Sequence, residues 1–169
     1  IEERSNTYID FEKLEIVGND LIWWSERDGW GHFYLFGKDG TLKRQITSGP
    51  YHTAGAARID EKTRRLFFVA NGMEKGEDPY YEHLYSVSLD GGAVSLLNKG
   101  DFNHSISIND NASFFVNTYS RVNTTPVSVL IDRAGVKVMD LETADLSQLF
   151  AAGFKFPERF KFKADDGIT

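Results

Sequence analysis

The chain has 169 residues, a formal net charge of −6, 41% hydrophobic residues and no cysteine. The lack of cysteine excludes disulfides, thiol chemistry and cysteine-ligated metal sites. The acidic balance argues against a nucleic-acid partner, because phosphates require a basic surface. No uninterrupted apolar run approaches the roughly 20 residues of a membrane-spanning helix, so we expect no membrane insertion.

A strand-and-turn unit occurs three times along the chain. Each copy reads as an aromatic strand, a variable polar connection and a hairpin. The copies occupy residues 21–47, 65–98 and 113–142. His32 and His83 are 51 residues apart, and Leu84 and Val127 are 43 residues apart. Repeats of about 40–50 residues are typical of propeller blades, so the sequence predicts an all-β chain that forms a partial β-propeller of about three four-stranded antiparallel blades.

The first copy makes the most specific strand predictions. Residues 8–17 alternate loosely and suit either the last strand of a preceding blade or the first strand of this one. Residues 21–25 are apolar on both faces, which is typical of a strand between adjacent blades. Residues 33–36 and 42–46 predict a hairpin around a Lys-Asp-Gly turn at residues 38–40.

The repeat pattern ends at Glu142. Asp145 and Gln148 have the spacing of a capping box, and Gly153 suits a C-terminal cap. The sequence therefore predicts one short helix, over residues 145–152.

Beyond the helix, the alternating residues 160–163 predict a strand. We divide the chain into propeller blades over residues 1–142 and a helix and strand over residues 143–169 that lead into a further domain. Three blades do not close a ring, since propellers typically have about four to eight. We therefore expect the chain to be part of a larger propeller, and we expect it to self-associate through its open blade faces or its outermost strand.

The serines do not suggest a nucleophile. No G-x-S-x-G elbow occurs in the sequence, although nucleophilic hydrolysis needs a serine on a strained turn beside its base. Ser25, Ser86 and Ser128 lie inside predicted strands. The sequence therefore predicts no catalytic residue in this chain.

The four histidines favour structural roles. His32 and His83 hold the same repeat position, and repeat-equivalent residues usually do the same packing job. His52 and His104 are isolated from acidic residues at ligand-like spacing. We expect neither a metal site nor a cofactor.

Five residues are candidates for substrate binding: Trp30, Glu77, Asp78, Tyr80 and Tyr81. In the long insertion at residues 72–82, the two carboxylates could hold a cation or a substrate amine, with the two tyrosines as an aromatic platform. Alternatively, Asp78-Pro79 starts a turn and the tyrosines pack over the blade edge. The second interpretation is favoured because loop carboxylates are mostly solvated and no calcium-loop spacing is present.

Several stretches of the sequence carry a family resemblance: WWSERDGWGHFYLF, NGMEKGEDPYYEHLYSV, YSRVNTTPVSVL and the closing ETADLSQLFAAGFKFPERFKFKADDGIT. They resemble the C-terminal half of the β-propeller in bacterial dipeptidyl peptidase IV-like enzymes of the prolyl oligopeptidase (S9) family. In that family the propeller precedes an α/β-hydrolase domain that holds the catalytic Ser, Asp and His. KFKADDGIT resembles the strand that enters this domain, and the domain itself is absent from this chain.

The resemblance implies a non-catalytic role. The family's paired glutamates, which hold the substrate's amino terminus, belong to an earlier propeller segment, and Glu2-Glu3 does not match their motif. The implied function is a chamber wall that filters and positions peptide substrates for the hydrolase domain, outside the cytoplasm, in a periplasmic or secreted enzyme. The alternative is a scaffold or ligand-binding propeller, TolB-like or lectin-like, without peptidase activity, since propellers host many functions.

Overall fold

The computed structural model describes residues 14–160, 162–163 and 165, which form three four-stranded antiparallel sheets and one short helix. The first sheet holds β1 (Glu15–Val17), β2 (Asp20–Ser25), β3 (His32–Gly37) and β4 (Leu42–Gln45). The second holds β5 (His52–Asp60), β6 (Arg65–Asn71), β7 (Glu82–Ser88) and β8 (Ser95–Leu96). The third holds β9 (Asn103–Ile108), β10 (Phe114–Ser120), β11 (Val127–Asp132) and β12 (Lys137–Thr143). Strands adjacent in the chain are neighbours in each sheet, so the predicted fold class is confirmed.

The pairing of β1 decides between the two interpretations of residues 8–17, the last strand of a preceding blade or the first strand of this one. Ile16 pairs with Leu21 and Val17 pairs with Asp20, so β1 is the first strand of this sheet and not the last strand of another. Residues 8–13 of the predicted segment lie outside the described residues.

The hairpin predicted at residues 33–46 is confirmed. β3 and β4 are antiparallel, with Tyr34 opposite Gln45, and the backbone N–H of Gly40 donates to the Gly37 carbonyl at 2.9 Å in the turn. β4 ends at Gln45, one residue before the predicted end, and Ile46 is buried in the core.

The middle sheet is covered by apolar side chains on both faces. Phe67 and Phe68 are adjacent on β6 and both fully buried, and successive side chains of a strand point to opposite faces. Phe68 lies 6.0 Å from Phe33 of the first sheet, and Phe67 lies 5.1 Å from Phe115 of the third, measured between ring centroids. Two separate hydrophobic cores therefore join the three sheets in sequence.

The connections between strands lie alternately at two opposite ends of the sheets, because consecutive strands are antiparallel. We call one end the turn rim; it comprises residues 18–19, 38–41, 61–64, 89–94, 109–113 and 133–136. We call the other end the loop rim; it comprises residues 26–31, 46–51, 72–81, 97–102 and 121–126.

Ion pairs join neighbouring sheets at the turn rim. Arg64 binds Asp20 of the first sheet at 2.8 Å and Asp90 of its own sheet at 2.9 Å. Arg133 of the third sheet binds Asp60 of the second. The Thr63 hydroxyl and Arg133 stabilise the Asp60 carboxylate and lower its pKa to about 2. These pairs fix how the sheets are set against one another.

The helix is shorter than predicted and starts differently. α1 spans Ser147–Ala151, its N-cap is Leu146, and no side chain caps it, so the predicted capping box is wrong. The Asp145 carboxylate instead accepts the Ser147 N–H at 2.9 Å, which makes a turn before the helix. The predicted C-terminal cap is confirmed, because Gly153 has φ +91° and the N–H groups of Gly153 and Phe154 bond to carbonyls of the last turn.

The strand predicted at residues 160–163 is absent from its described part. Phe160, Phe162 and Lys163 belong to no strand, because alternation forms a strand only where a neighbouring strand supplies hydrogen bonds. The rings of Phe160 and Phe162 stack at 6.0 Å, so both side chains point to the same side. Within the described residues, no helix has the length and apolar character needed to cross a bilayer.

Candidate functional site

All five candidate residues lie at the loop rim. Trp30 is 45% exposed in the connection between β2 and β3 of the first sheet. Glu77, Asp78, Tyr80 and Tyr81 lie in the connection between β6 and β7 of the second sheet, which we call the 72–81 loop. The five residues predicted from the sequence therefore lie at the same end of the sheets.

Local hydrogen bonds shape the 72–81 loop. The Asp78 carboxylate accepts the Tyr80 N–H at 3.1 Å, and the Asp78 carbonyl accepts the Tyr81 N–H at 3.0 Å. The Asn71 amide donates to the Pro79 carbonyl at 3.1 Å and closes the base of the loop. Asp78-Pro79 is thus a turn, as the favoured interpretation predicts.

The two tyrosines differ in environment. Tyr80 is 83% exposed, whereas Tyr81 is half-buried. The Tyr81 hydroxyl lies 3.4 Å from a guanidinium nitrogen of Arg159, and the Arg159 carbon Cζ lies 6.0 Å from the Tyr81 ring centroid. Edge packing therefore describes Tyr81, and Tyr80 projects into solvent.

Asp78 is neutralised by the C-terminal segment. Arg159 donates to its carboxylate at 2.9 Å across 81 positions of sequence. The loop thus connects the second sheet to the segment that follows α1, and Asp78 is already engaged by a cation of the chain itself.

The Glu77 side chain, unlike that of Asp78, points toward β7 of the second sheet. Its Oε2 lies 2.8 Å from Nε2 of His83, a buried residue on β7. Nδ1 of His83 lies 3.0 Å from the backbone carbonyl of Asn98. Both ring nitrogens of this histidine therefore face oxygen acceptors.

A hydrogen-bonded chain runs from this histidine to the third sheet. The Leu84 N–H donates to Asn98 Oδ1 at 2.7 Å, and the Asn98 amide donates to Asn117 Oδ1 at 3.2 Å. Nδ1 of His104 on β9 lies 2.9 Å from the same Asn117 oxygen and donates to it. Burial lowers the pKa of His104 and favours its neutral form.

The rings of His83 and His104 lie 4.7 Å apart between centroids. The packing of two sheets thus places His104 against His83 and near Glu77, although the sequence holds no acidic residue at ligand-like spacing from it. No spacing in the sequence indicated this pair. Among the described residues, no three carboxylate or imidazole side chains are arranged to hold a metal ion.

A third carboxylate of the loop, that of Glu74, is also engaged. The Tyr85 hydroxyl donates to Glu74 at 3.0 Å. Burial and the negative charge of Glu74 raise the pKa of Tyr85, so this hydroxyl keeps its proton. The loop is thereby held to β7 at two points, Glu74 on Tyr85 and Glu77 on His83.

The repeat-equivalent position in the first sheet shows the structural role of the histidine. His32 places Nδ1 3.2 Å from the Thr47 hydroxyl and Nε2 3.0 Å from the Gly49 carbonyl, and burial lowers its pKa. Thr47 accepts the Phe33 N–H at 3.0 Å, the bond that Asn98 accepts from Leu84 in the second sheet. The shared packing role is confirmed, and contact with a carboxylate is specific to His83.

An open cleft of about 490 Å³ lies between the second and third sheets. Its walls include Asn98, Asn117, Tyr119, Val129 and Lys137. The amide chain that supports the two histidines therefore borders solvent on one side.

Comparisons with known proteins agree with this fold. A family model described as the dipeptidyl peptidase IV (DPP IV) N-terminal region matches residues 1–126. Dipeptidyl peptidase 4 of Arthroderma otae is 29% identical over 66 residues, which are 39% of this chain and 8% of that protein. Dipeptidyl peptidase 4 of Trichophyton equinum is 27% identical over 73 residues, 43% of this chain and 9% of that protein.

Two solved structures share the fold. Dipeptidyl peptidase 4 of Porphyromonas gingivalis superposes with a TM-score of 0.67 at 23% identity, over 82% of this chain and 19% of that one. A putative dipeptidyl aminopeptidase IV from Bacteroides ovatus superposes with a TM-score of 0.66 at 18% identity, over 78% and 21%. The matched region is thus about a fifth or less of each relative.

Proposed function

The chain belongs to the family of dipeptidyl peptidase IV N-terminal regions, and we propose that it forms part of the propeller wall that filters and positions peptide substrates for a dipeptidyl peptidase active site located elsewhere in the parent protein. The proposal rests mainly on one observation: three carboxylates of the 72–81 loop are engaged by the chain's own side chains. Glu74 binds Tyr85, Glu77 binds His83 and Asp78 binds Arg159. Such a loop suits a fixed wall better than a site that takes up a substrate amine.

Exposed apolar side chains on the outer sheets support a place within a larger ring. Ile16 of the first sheet and Phe114 and Met139 of the third are all exposed. Single exposed apolar residues are ordinary, but an array on a blade face suits a neighbouring blade.

The first test compares this chain with its longer parent. We expect the chain alone to leave a Gly-Pro or Ala-Pro chromogenic dipeptide intact, because it lacks a nucleophile elbow, and the parent to hydrolyse it. Turnover by the chain alone that a serine-directed inhibitor abolishes would contradict the proposal, as would an inactive, folded parent.

The second test addresses filtering. In the parent, we expect replacement of both Tyr80 and Tyr81 by Ala to leave kcat/KM for the dipeptide substrate within about threefold and to raise the hydrolysis of longer peptides relative to it. A loss of about a hundredfold on the dipeptide at unchanged stability would instead make the loop a substrate-binding site. An unchanged ratio between long and short substrates would refute the filter.

The exposed aromatic rings of Trp30 and Tyr80 favour the alternative of a ligand-binding propeller without peptidase activity. Titration of the parent with peptides and oligosaccharides, followed by tryptophan fluorescence in wild type and Trp30→Phe, tests it. A saturable signal that depends on Trp30, in a parent without peptidase activity, would support this second function.

A further inference from the structure

We propose that Glu77 and His83 form a proton-dependent latch that holds the 72–81 loop against the second sheet and releases it as the pH rises. The latch is a property of this chain, and its test requires no peptidase activity.

The geometry requires an extra proton at this contact. A backbone carbonyl only accepts hydrogen bonds, so His83 Nδ1 must carry a hydrogen toward Asn98. Nε2 faces the Glu77 carboxyl at 2.8 Å, and a neutral ring with Nδ1–H has a lone pair there. The contact is favourable only if the ring is doubly protonated or the carboxyl is protonated, so in either form the pair holds one proton more than a neutral ring and a carboxylate.

The equivalent histidine of the first sheet needs no such proton. His32 donates from Nε2 to the Gly49 carbonyl, and its Nδ1 accepts from the Thr47 hydroxyl, which can donate. Both nitrogens are satisfied in the neutral ring. His32 is therefore an internal reference for His83.

The groups around the His83–Glu77 pair do not compete with it for the extra proton. Among the described residues, the titratable groups that face it are His104 from β9, Tyr85 from β7 and Glu74 from the loop. His104 donates from Nδ1 to Asn117, and its Nε2 lies 3.3 Å from the Gly100 carbonyl, farther than in an ordinary N–H···O bond, so a neutral ring fits there. Burial lowers the pKa of His104, and Tyr85 keeps its hydroxyl proton by donating to Glu74. The remaining polar neighbours, Asn98 and Asn117, do not titrate.

Loss of the proton changes the contact from attraction to repulsion. Once a base in solution removes it, the Nε2 lone pair of His83 faces a carboxylate oxygen in a half-buried site. The closed loop binds one proton more at this pair than the open loop does, so the free energy that holds it closed falls as pH rises. The Glu74–Tyr85 bond remains, so the loop loosens without unfolding the sheet.

Hydrogen exchange at two amides, one in the loop and one at the first residue of β7, tests the latch. The Tyr81 N–H donates to the Asp78 carbonyl and the Glu82 N–H donates to the Asn103 side chain, so both report loop closure. After correction for intrinsic exchange, we expect their protection to fall by about tenfold or more between about pH 6 and about pH 9. We expect amides of β6 to keep their protection over the same range.

Two matched variants sharpen the test. In Glu77→Gln, the side-chain amide can donate to Nε2 of a neutral His83, so we expect a closed loop whose protection does not change with pH. In Glu61→Gln, a carboxylate exposed at the turn rim is removed, and we expect the wild-type pH dependence to persist. Flat protection in the wild type, or an undiminished fall in Glu77→Gln, would overturn the latch.

Nitrogen NMR of the imidazoles gives a second readout in the same samples. At neutral pH we expect hydrogen on both His83 nitrogens, or on Nδ1 with a protonated Glu77 carboxyl, and hydrogen on Nε2 alone for His32. A neutral His83 ring beside an ionised Glu77 at that pH would also overturn the proposal.

Discussion

The two rims of the molecule are held together by different chemistry. At the turn rim, short turns place arginines against aspartates of neighbouring sheets, as in Arg64 with Asp20 and Arg133 with Asp60. At the loop rim, longer connections are held by neutral amides, histidines and carboxylates around His83. Arginine stays charged at all accessible pH values, whereas histidine is the side chain whose ordinary charge change falls between about pH 5 and pH 8. The arginines of the turn rim therefore keep their charge as the pH changes, whereas the proposed latch at the loop rim depends on a proton.

The largest effect should come from Gly135, in the turn between β11 and β12. A methyl group there would overlap the backbone carbonyl of Leu97, the residue that directly follows β8 of the second sheet, and Gly135 has φ +80°. We expect Gly135→Ala to lower the free energy of unfolding by about 3 kcal/mol or more, because backbone cannot move aside as a side chain can.

Gly40→Ala is the matched control for this substitution. Gly40 has φ +82° in another hairpin turn, and its missing methyl would meet open space. We expect a cost of about 1 kcal/mol, from backbone conformation alone. Equal midpoints for the two variants in urea denaturation would show that the third sheet can shift away from the second.

The next effect tests the ion pairs of the turn rim. The pKa of Asp60 is lowered to about 2, so its charged form stabilises the fold at neutral pH, and this contribution is lost as pH falls from about 4 toward 2. We expect Asp60→Asn to cost about 1 to 2 kcal/mol at pH 7 and to reduce the acid sensitivity of unfolding.

Asp110 provides the comparison, because its carboxylate is fully exposed beside Arg58 at 3.6 Å. Unfolding of Asp110→Asn should stay within about 0.5 kcal/mol of wild type. A similar loss of unfolding free energy in Asp60→Asn and Asp110→Asn would mean that the net charge of the protein, and not the contact between sheets, determines stability at this rim.

At the loop rim we expect smaller effects. Tyr81→Ala should cost about 1 kcal/mol, because the half-buried ring supports Arg159, while Tyr80→Ala should stay within about 0.5 kcal/mol. Thermal unfolding of Tyr81→Ala and Tyr80→Ala under the same conditions measures both losses of stability. A larger cost for Tyr80 would show that its exposed ring contacts something in solution.

The smallest effect on stability should come from Arg159→Gln, which removes a partly exposed ion pair with Asp78. We expect less than about 0.5 kcal/mol in unfolding but faster chymotryptic cleavage at Phe154 and Phe156, since the segment loses its anchor. Arg27→Gln, at the loop rim of the first sheet, is the control. Unchanged cleavage would mean that the aromatic cluster of Phe150, Phe154 and Phe156 alone holds the segment.

The fold could be predicted from the sequence because its signals are local and repeated. The hairpin at residues 33–46 and the C-terminal cap at Gly153 each depend on a few adjacent residues, and both are confirmed. The predicted capping box is absent because the Asp145 carboxylate accepts a hydrogen bond from the Ser147 N–H, which is nearer in the sequence. The strand predicted at residues 160–163 is absent from the described part of that range, because alternation does not provide a neighbouring strand.

The candidate site was predicted only in outline. The shared role of His32 and His83 follows from their equal repeat positions, and it is confirmed. The contact of His83 with His104 depends on how two sheets pack, and the contact of Asp78 with Arg159 spans 81 positions. Neither contact leaves a periodic trace in the sequence.

The outermost strand of the third sheet has a consequence for the behaviour of the chain at high concentration. All seven residues of β12 are exposed, and among the described strands it pairs with β11 alone. Lys137, Asp140 and Glu142 place charges along this edge, and charge on an edge discourages another strand from joining it. Net repulsion between copies of the chain is weakest near the isoelectric point, where the exposed Val138 and Leu141 of this edge remain available for contact. Acidic storage near the isoelectric point of about 5.2 should therefore favour edge-to-edge assembly and fibre growth, and mild alkaline storage should suppress both.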